Sequence, residues 1–500
     1  MKKFLALLFA AAMVLSSFAA FAQENTVLKI GAEAEPTGFD PHTTTQHVAL
    51  RIINQMYETL VDVDDDLNVI PRLAESWEQP DETSYIFNLR KGVKFHSGRE
   101  LKAEDVKYSF ERILDPDIGG LGSSESYAGN VEKVEVLDDY RVKITLSKIT
   151  APFLASMSST YCAIVDKEAV EANGDLMRAD GGTGPYTLGE WVPDNRVTLN
   201  KFKDYYKEGY AMDMVEFYVL SDSSARMNAL RTGEVDLIVG DSAMLVLANA
   251  AKNVDVYKIR TRDYVTLCIN MNKEEFKDIK VRQAISLALD REEIINLAFN
   301  GEAEVSGFIP ASMGHWAVDV NEHPLYKQDI EKAKELMKEA GYENGFDAVC
   351  TVGLLDTIRN SGTVIQQQLS KIGINVKIQN KENAQYIEDW KNHEFDLMVC
   401  QNGAGTDPNR GVGLFFTTGN TANISEYSNE RVDELIELGA GTTDVNQREE
   451  YYKEAINIIL DECPCVTFAS PYSYYFASSS LKGYAPTVNH PLEFQNVTKE

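Results

Sequence analysis

The chain is poor in cysteine, histidine and net positive charge, and each shortage closes off a class of function. Six cysteines in 500 residues (162, 268, 350, 400, 463 and 465) are too sparse for a disulfide-built scaffold. Cys463-Pro464-Cys465 has a one-residue spacing that would strain a bridge, and it lacks the second ligand pair of a zinc site. These cysteines read as small buried hydrophobes beside a strand. The seven histidines (42, 47, 96, 315, 323, 393 and 490) form no i, i+4 pair or tight cluster, so no protein-built metal cage and no resident cofactor is expected. Lys and Arg number 48 against 77 Asp and Glu, a formal charge of −29, which excludes a phosphate-backbone partner such as nucleic acid. No Gly-x-Ser-x-Gly, His-Glu-x-x-His or Walker loop occurs, and Gly119-Gly120-Leu121-Gly122 lacks the spacing of a dinucleotide fingerprint.

What is present begins with an export signal. Lys2 and Lys3 precede an apolar run from Phe4 to Leu15, and Ala20-Phe21-Ala22 supplies a small-x-small cleavage site before Gln23. The run is shorter than the ~20 residues needed to span hydrocarbon, no second apolar span follows, and no lipobox cysteine stands at the cleavage point. A freely diffusing periplasmic protein is expected. The exported chain exceeds the usual ~100–200 residues of one domain, yet no Pro/Ser/Gly-rich linker divides it, so its lobes should be discontinuous in sequence.

Strand and helix signals alternate without a fixed-period repeat, as in an α/β protein. Residues 85–90 and 140–146 alternate as half-exposed strands, while 234–239 and 395–400 read as short buried strands. Residues 329–340 place Ile330, Ala333, Leu336, Met337 and Ala340 on one helical face, with Gly341 where a C′ glycine ends a helix. Residues 281–299 and 448–460 likewise predict amphipathic helices. The acidic run Asp62, Asp64, Asp65 and Asp66 predicts a solvated turn, since the glycine and terminal glutamate of a calcium loop are missing.

Residues 74–112, AESWEQPDETSYIFNLRKGVKFHSGRELKAEDVKYSFER, resemble one family block almost end to end. The match continues through Gly182-Thr183-Gly184-Pro185-Tyr186 with EWVPDNRVTLNKFKDYY, then VRQAISLALDREEIINLAF at 281–299, KAKELMKEAGYENGF at 332–346 and IQQQLSKIGINVKI at 365–378. So many blocks in one order resemble the family 5 extracellular solute-binding proteins of oligopeptide, dipeptide and nickel ABC importers. The resemblance implies a two-lobed periplasmic binding protein (type II, large cluster C form) with an inserted subdomain in the first lobe and two hinge crossings, near 260–270 and 467–478. Its implied partition is signal 1–22, first lobe 23–59, inserted subdomain 60–180, first lobe again 181–262, second lobe 263–470 and a first-lobe return 471–500. The implied function is capture of a short peptide by hinge closure and delivery to the membrane subunits of an ABC permease, as a monomer. A nickel or chelated-metal carrier, or a binder of another small polar solute, is the alternative. The resemblance also implies that the chain is not an enzyme, a secreted hydrolase being the residual alternative.

In peptide-binding relatives the ligand's two charged ends are held by side chains and its backbone by main-chain groups. Arg359 matches the arginine that such relatives carry for the carboxylate, and a planar guanidinium suits that task. The amine end departs from the pattern. Asn402 stands where tryptophan is usual and Gly405 where the first aspartate is usual, in a loop running through Gly403 to Asp407-Pro408. Asp407 or Asp263 is left to supply the carboxylate, although an aspartate before proline also simply sets a turn. Position in the family adds Thr45, Gln46 and His47 beside the ligand, Tyr127 from the inserted subdomain, and Tyr264 with Tyr472, Tyr474 or Tyr475 near the hinge.

Overall fold

The computed structural model describes residues 26–119 and 124–500; the signal segment lies outside the described residues. Buried β-branched and aromatic runs assemble one long mixed sheet. In the first lobe, Val27–Ala32 lies between the parallel strands Met214–Val219 and Leu237–Gly240, and the antiparallel strands Arg196–Lys201 and Tyr186–Val192 extend the edge. In the second lobe, Phe346–Val352 runs parallel to both Ile374–Asn380 and Leu397–Gly403, and the last of these pairs antiparallel with Asp263–Ile269.

The 14-residue strand Cys465–Ser478 belongs to both lobes. Its first half pairs with Asp263–Ile269 and its second half with Val254–Arg260 and Leu237–Gly240. The other crossing is the short link between Val254–Arg260 and Asp263–Ile269. The two crossings are stitched together where Thr261 Oγ1 donates to the Pro471 carbonyl (2.7 Å) and Ser470 Oγ donates to the Asp263 carbonyl (2.7 Å). The two largest buried clusters each lie on one side of these crossings: Leu28, Ile30 and Phe217 in the first lobe, Leu267, Ile285 and Phe468 in the second. Rotation about the crossings therefore opens neither of these cores, which is what a hinge requires.

The inserted subdomain has its own antiparallel sheet, in the spatial order Ala74–Asp81, Ser84–Leu89, Arg141–Leu146, Val131–Asp138, packed on the helix Ala103–Leu114 around Phe87, Phe95 and Phe110. It is joined to the first lobe by a buried charge cluster. Both Arg112 η-nitrogens donate to Asp40, and Arg112 Nη1 also donates to His42 Nδ1 (2.7 Å), while His42 Nε2 donates to the Ala163 carbonyl (2.9 Å). His42 is thus fully satisfied as the neutral tautomer. Burial and the adjacent Arg112 push its pKa down from 6.5 to about 4.

Its contribution to stability is complete above pH 6.5 and is lost as pH falls toward 4, because the unfolded chain takes up the proton first. A shift of this size corresponds to about 3 kcal/mol. Urea unfolding at pH 7.5 and pH 5 is expected to show a drop in stability for the wild type and a flatter profile for His42→Gln. Equal slopes would exclude His42 as the titrating group.

The periodic helices form where expected, with differences at their ends. Ile330–Glu339 starts at Asp329, whose side chain accepts from Lys332 N, and Gly341 follows at φ +87°. Residues 281–299, expected as one helix, are two: Ile279–Ala288 and Arg291–Ala298. Asp290 interrupts the run by capping the second helix through Glu293 N, trading helix continuity for a satisfied N-terminus. The expected strands at 234–239 and 395–400 begin later, at Leu237 and Leu397. The acidic run forms a hairpin tip in which Asp64 Oδ1 accepts from the Asp66 and Asn68 amides. All six cysteines are free and buried.

Candidate ligand-binding cleft

The lobes meet across the cleft. Ala151 N donates to the Ala440 carbonyl (2.8 Å), Thr406 Oγ1 donates to the Ala155 carbonyl (3.3 Å), and the Arg410 guanidinium lies 4.8 Å from the Tyr127 ring centroid. This closed arrangement leaves two chambers that share Tyr127 and Thr406. The inner one, about 220 Å³, lies against the hinge and is lined by Arg51, Asn54, Thr160, Arg262, Gly405 and Asn489, among others. The outer one, about 760 Å³, lies between the inserted subdomain and the helices Pro408–Phe416 and Glu430–Ala440.

The side chains expected at the site divide between the cleft and its surroundings. Asp263 stands half-buried at the start of its strand, next to Arg262 of the inner chamber but outside the lining of both chambers. Its carboxylate accepts from Gln401 Nε2 (3.0 Å), burial raises its pKa, and His47 is close enough to act on it electrostatically. His47 begins the helix His47–Met56, and Gln46 at its N-cap accepts from the Thr37 amide (2.9 Å), tying the turn after Val27–Ala32 to that helix. Thr45 is exposed just ahead of it. Gly403 lies opposite Asp263, so close that a Cβ there would stand 3.2 Å from Asp263 Oδ1.

Asn402 and Tyr264 lie elsewhere, because successive strand residues face opposite sides. Both line a small internal cavity with Phe415 and Trp390, and Tyr264 is fully buried. Gln401, one residue earlier, faces the same side as Asp263. Arg359 is outside both chambers: its side chain is 44% exposed and pairs with Asp356 in the first turn of its own helix. Asp407 lines the outer chamber, but its charge is already matched. Arg448 Nη2 donates to both carboxylate oxygens (2.8 and 2.9 Å), and Asp407 also caps Pro408–Phe416 through the Asn409 amide. Tyr475 is buried beside Arg51 and Glu33, and Tyr472 and Tyr474 donate to Glu304 and Glu302 behind the hinge.

Gly405 stands where a side chain would not fit. Its φ is +70°, and a Cβ there would approach Arg410 Cδ to 2.7 Å. Glycine lets Arg410 fold over the loop and reach Tyr127. Gly405→Ala is expected to cost about 1–2 kcal/mol for a left-handed non-glycine residue, measurable by urea unfolding. Unchanged stability would mean that the loop relaxes freely.

Arg51 and Arg262 are cleft residues that position in the family did not suggest. Arg51 is one helical turn beyond His47 on the same face, so the i, i+4 spacing carried that signal. Arg262 adjoins Asp263 in the crossing segment.

Two lobes on a two-strand hinge, closing around a polar chamber, define a periplasmic-type binding protein. The family pattern of bacterial extracellular solute-binding proteins, family 5, matches residues 68–423. The chain belongs to that family. It is 28% identical to the dipeptide-binding protein of Escherichia coli (strain K12), over 98% of this chain and 97% of that one. It is similar in structure to DppA from Helicobacter pylori in complex with the peptide STSA, at 30% identity and TM-score 0.81, covering 96% of this chain and 99% of that one. A dipeptide-binding protein from Pseudoalteromonas sp. SM9913, in complex with Met-Leu, matches at 27% identity and TM-score 0.82, covering 95% and 100%.

Proposed function

We propose that this protein captures short peptides outside the cytoplasmic membrane and hands them to the membrane subunits of an ABC importer. The observation that carries this is the polar inner chamber at the hinge, lined by residues of both lobes, with the half-buried Asp263 carboxylate on the adjoining crossing segment. A chamber of about 220 Å³ suits a small solute held at both ends and bounded by main-chain groups. Asp263 is the anchor for the ligand's ammonium group, replacing the aspartate lost at Gly405, and Gln401 fixes its orientation. Tyr127 and Thr406 close the chamber when the lobes meet. Thr45, Gln46 and His47 border the ligand from the first lobe.

Among the described residues no group of three or more His, Cys, Asp or Glu side chains is arranged to hold a metal ion, which favours a peptide over a bare cation. No helix among them is long and apolar enough to cross a membrane, so translocation falls to a partner. The partition at residues 59, 180, 262 and 470, cleavage after Ala22, periplasmic residence and a monomeric state are parts of the same proposal.

Native mass spectrometry of protein purified without denaturation, followed by release and sequencing of its cargo, tests this reading. A distribution of intact short peptides at one per chain is the expected result. A single non-peptide or metal-bearing mass, or peptides cleaved on incubation, would contradict it.

A further inference from the structure

We infer that Arg262, in the crossing segment at the hinge, is the anchor for the ligand's carboxylate, and that the protein therefore selects peptides with a free C-terminus. This rests on the peptide-binding reading and deepens it.

Arg262 lines the inner chamber, and its Nε and Nη2 are buried without an acceptor among the described residues. Those two atoms form one edge of the guanidinium, with N–H bonds running parallel, which is the edge that takes the two oxygens of a carboxylate. A buried charged donor without an acceptor is costly, so an open fork at the wall of the chamber points to a ligand that fills it.

Of the other charges lining the chamber, Arg51, Arg72 and Asp62 are already paired, and Glu493 is hydrogen-bonded. Arg51 pairs with Glu33, and Arg72 with Glu58 and Asp62. Asp62 is also held by His490, and Glu493 accepts from the Tyr210 hydroxyl (2.9 Å). For Arg262 the acidic neighbour is Asp65, an exposed residue of the hairpin tip, and burial wins over it, lowering the guanidinium pKa to about 10.

The backbone beneath Arg262 is fixed. Its carbonyl accepts from Ala404 N (2.9 Å), and the flanking Thr261 and Asp263 are bonded to the second crossing. The anchor thus sits on the hinge itself and touches the second-lobe loop carrying Gly405. Asp263, the next residue along, emerges on the other face of the strand toward His47, while Arg51 of the same helix borders the chamber of Arg262.

A mixed tripeptide library, prepared once as free acids and once as C-terminal amides, provides the probe. Peptides retained by the full-length mature protein are counted by mass spectrometry. Wild type is expected to favour acids over amides by about 30-fold or more, the range for a buried charge pair. Arg262→Gln should reduce that ratio to near one, and Arg262→Lys, which keeps charge without the fork, should leave an intermediate ratio. Because the fork is empty without ligand, Arg262→Gln should leave thermal stability of the unliganded protein unchanged or raised, where loss of a merely structural cation would lower it.

If wild type retains acids and amides equally, the carboxylate anchor is refuted while peptide capture stands. If Arg359→Ala collapses the ratio and Arg262→Gln does not, the anchor is Arg359 and the inference falls. Retention of neither library by wild type would overturn both this inference and the function it rests on.

Discussion

Arg448→Met is expected to destabilise the second lobe by about 3–5 kcal/mol, the cost of leaving one partner of a buried ion pair uncompensated. The guanidinium is enclosed: Nε donates to the Gly439 carbonyl (2.8 Å), Nη2 grips Asp407, and its carbon lies 5.2 Å from the Trp316 ring centroid. Methionine keeps the packing volume but leaves the carboxylate of the buried Asp407 with its helix-cap bond alone. The double variant Arg448→Met/Asp407→Asn should recover most of the loss, because the stranded charge is then gone. Urea unfolding of the single and double variants measures this, and an equal loss in both would mean that Arg448 acts through packing. Asp407 also ends the loop carrying Gly405 and Thr406, so the single variant should weaken ligand binding as well.

Asp263→Asn is expected to weaken binding of peptides with a free amino terminus by about 2–5 kcal/mol, the loss on truncating one partner of a buried charge pair. Burial holds the Asp263 carboxyl above its ordinary pKa, so it takes up a proton at mildly acid pH before an exposed aspartate would. An ammonium group needs the ionised form, and affinity should therefore fall as pH drops through that raised value. Asparagine removes the titration, so the variant's affinity should be weaker and flat with pH. Calorimetric titration from pH 7.5 to 4.5, with a peptide recovered from the native protein, reads both effects. Equal affinity of the two proteins for an N-acetylated peptide is the matching control, and an unchanged affinity for the free peptide would remove Asp263 from the site.

The architecture was largely legible because long periodic segments and ordered family blocks both survive in this chain. Helix Ile330–Glu339 carries its apolar stripe, its capping Asp329 and its terminating Gly341 in the sequence itself. The break at Leu289 and Asp290 was hidden, since the apolar period runs through it and only the capping bond to Glu293 separates the helices. The cleft was legible in part. Asp263 was expected from its place on a crossing segment, where it stands next to Arg262 without its carboxylate entering the lining of either chamber. Asn402 and Tyr264 depended on strand register, and one residue of register moves a side chain from one face to the other. Asp407 looked available until the fold brought in Arg448, 41 residues away in sequence. Arg262 carried no motif; an unpaired guanidinium becomes visible only once its surroundings are known.

The central claim is capture by closure of the two lobes about the paired crossings at residues 260–263 and 470–472. Small-angle X-ray scattering of the mature protein, freed of cargo and then saturated with a peptide recovered from the native preparation, tests it most directly. A smaller radius of gyration on saturation, with a saturated profile matching the closed structure, is the expected result. The same radius with and without stoichiometrically bound peptide would contradict it.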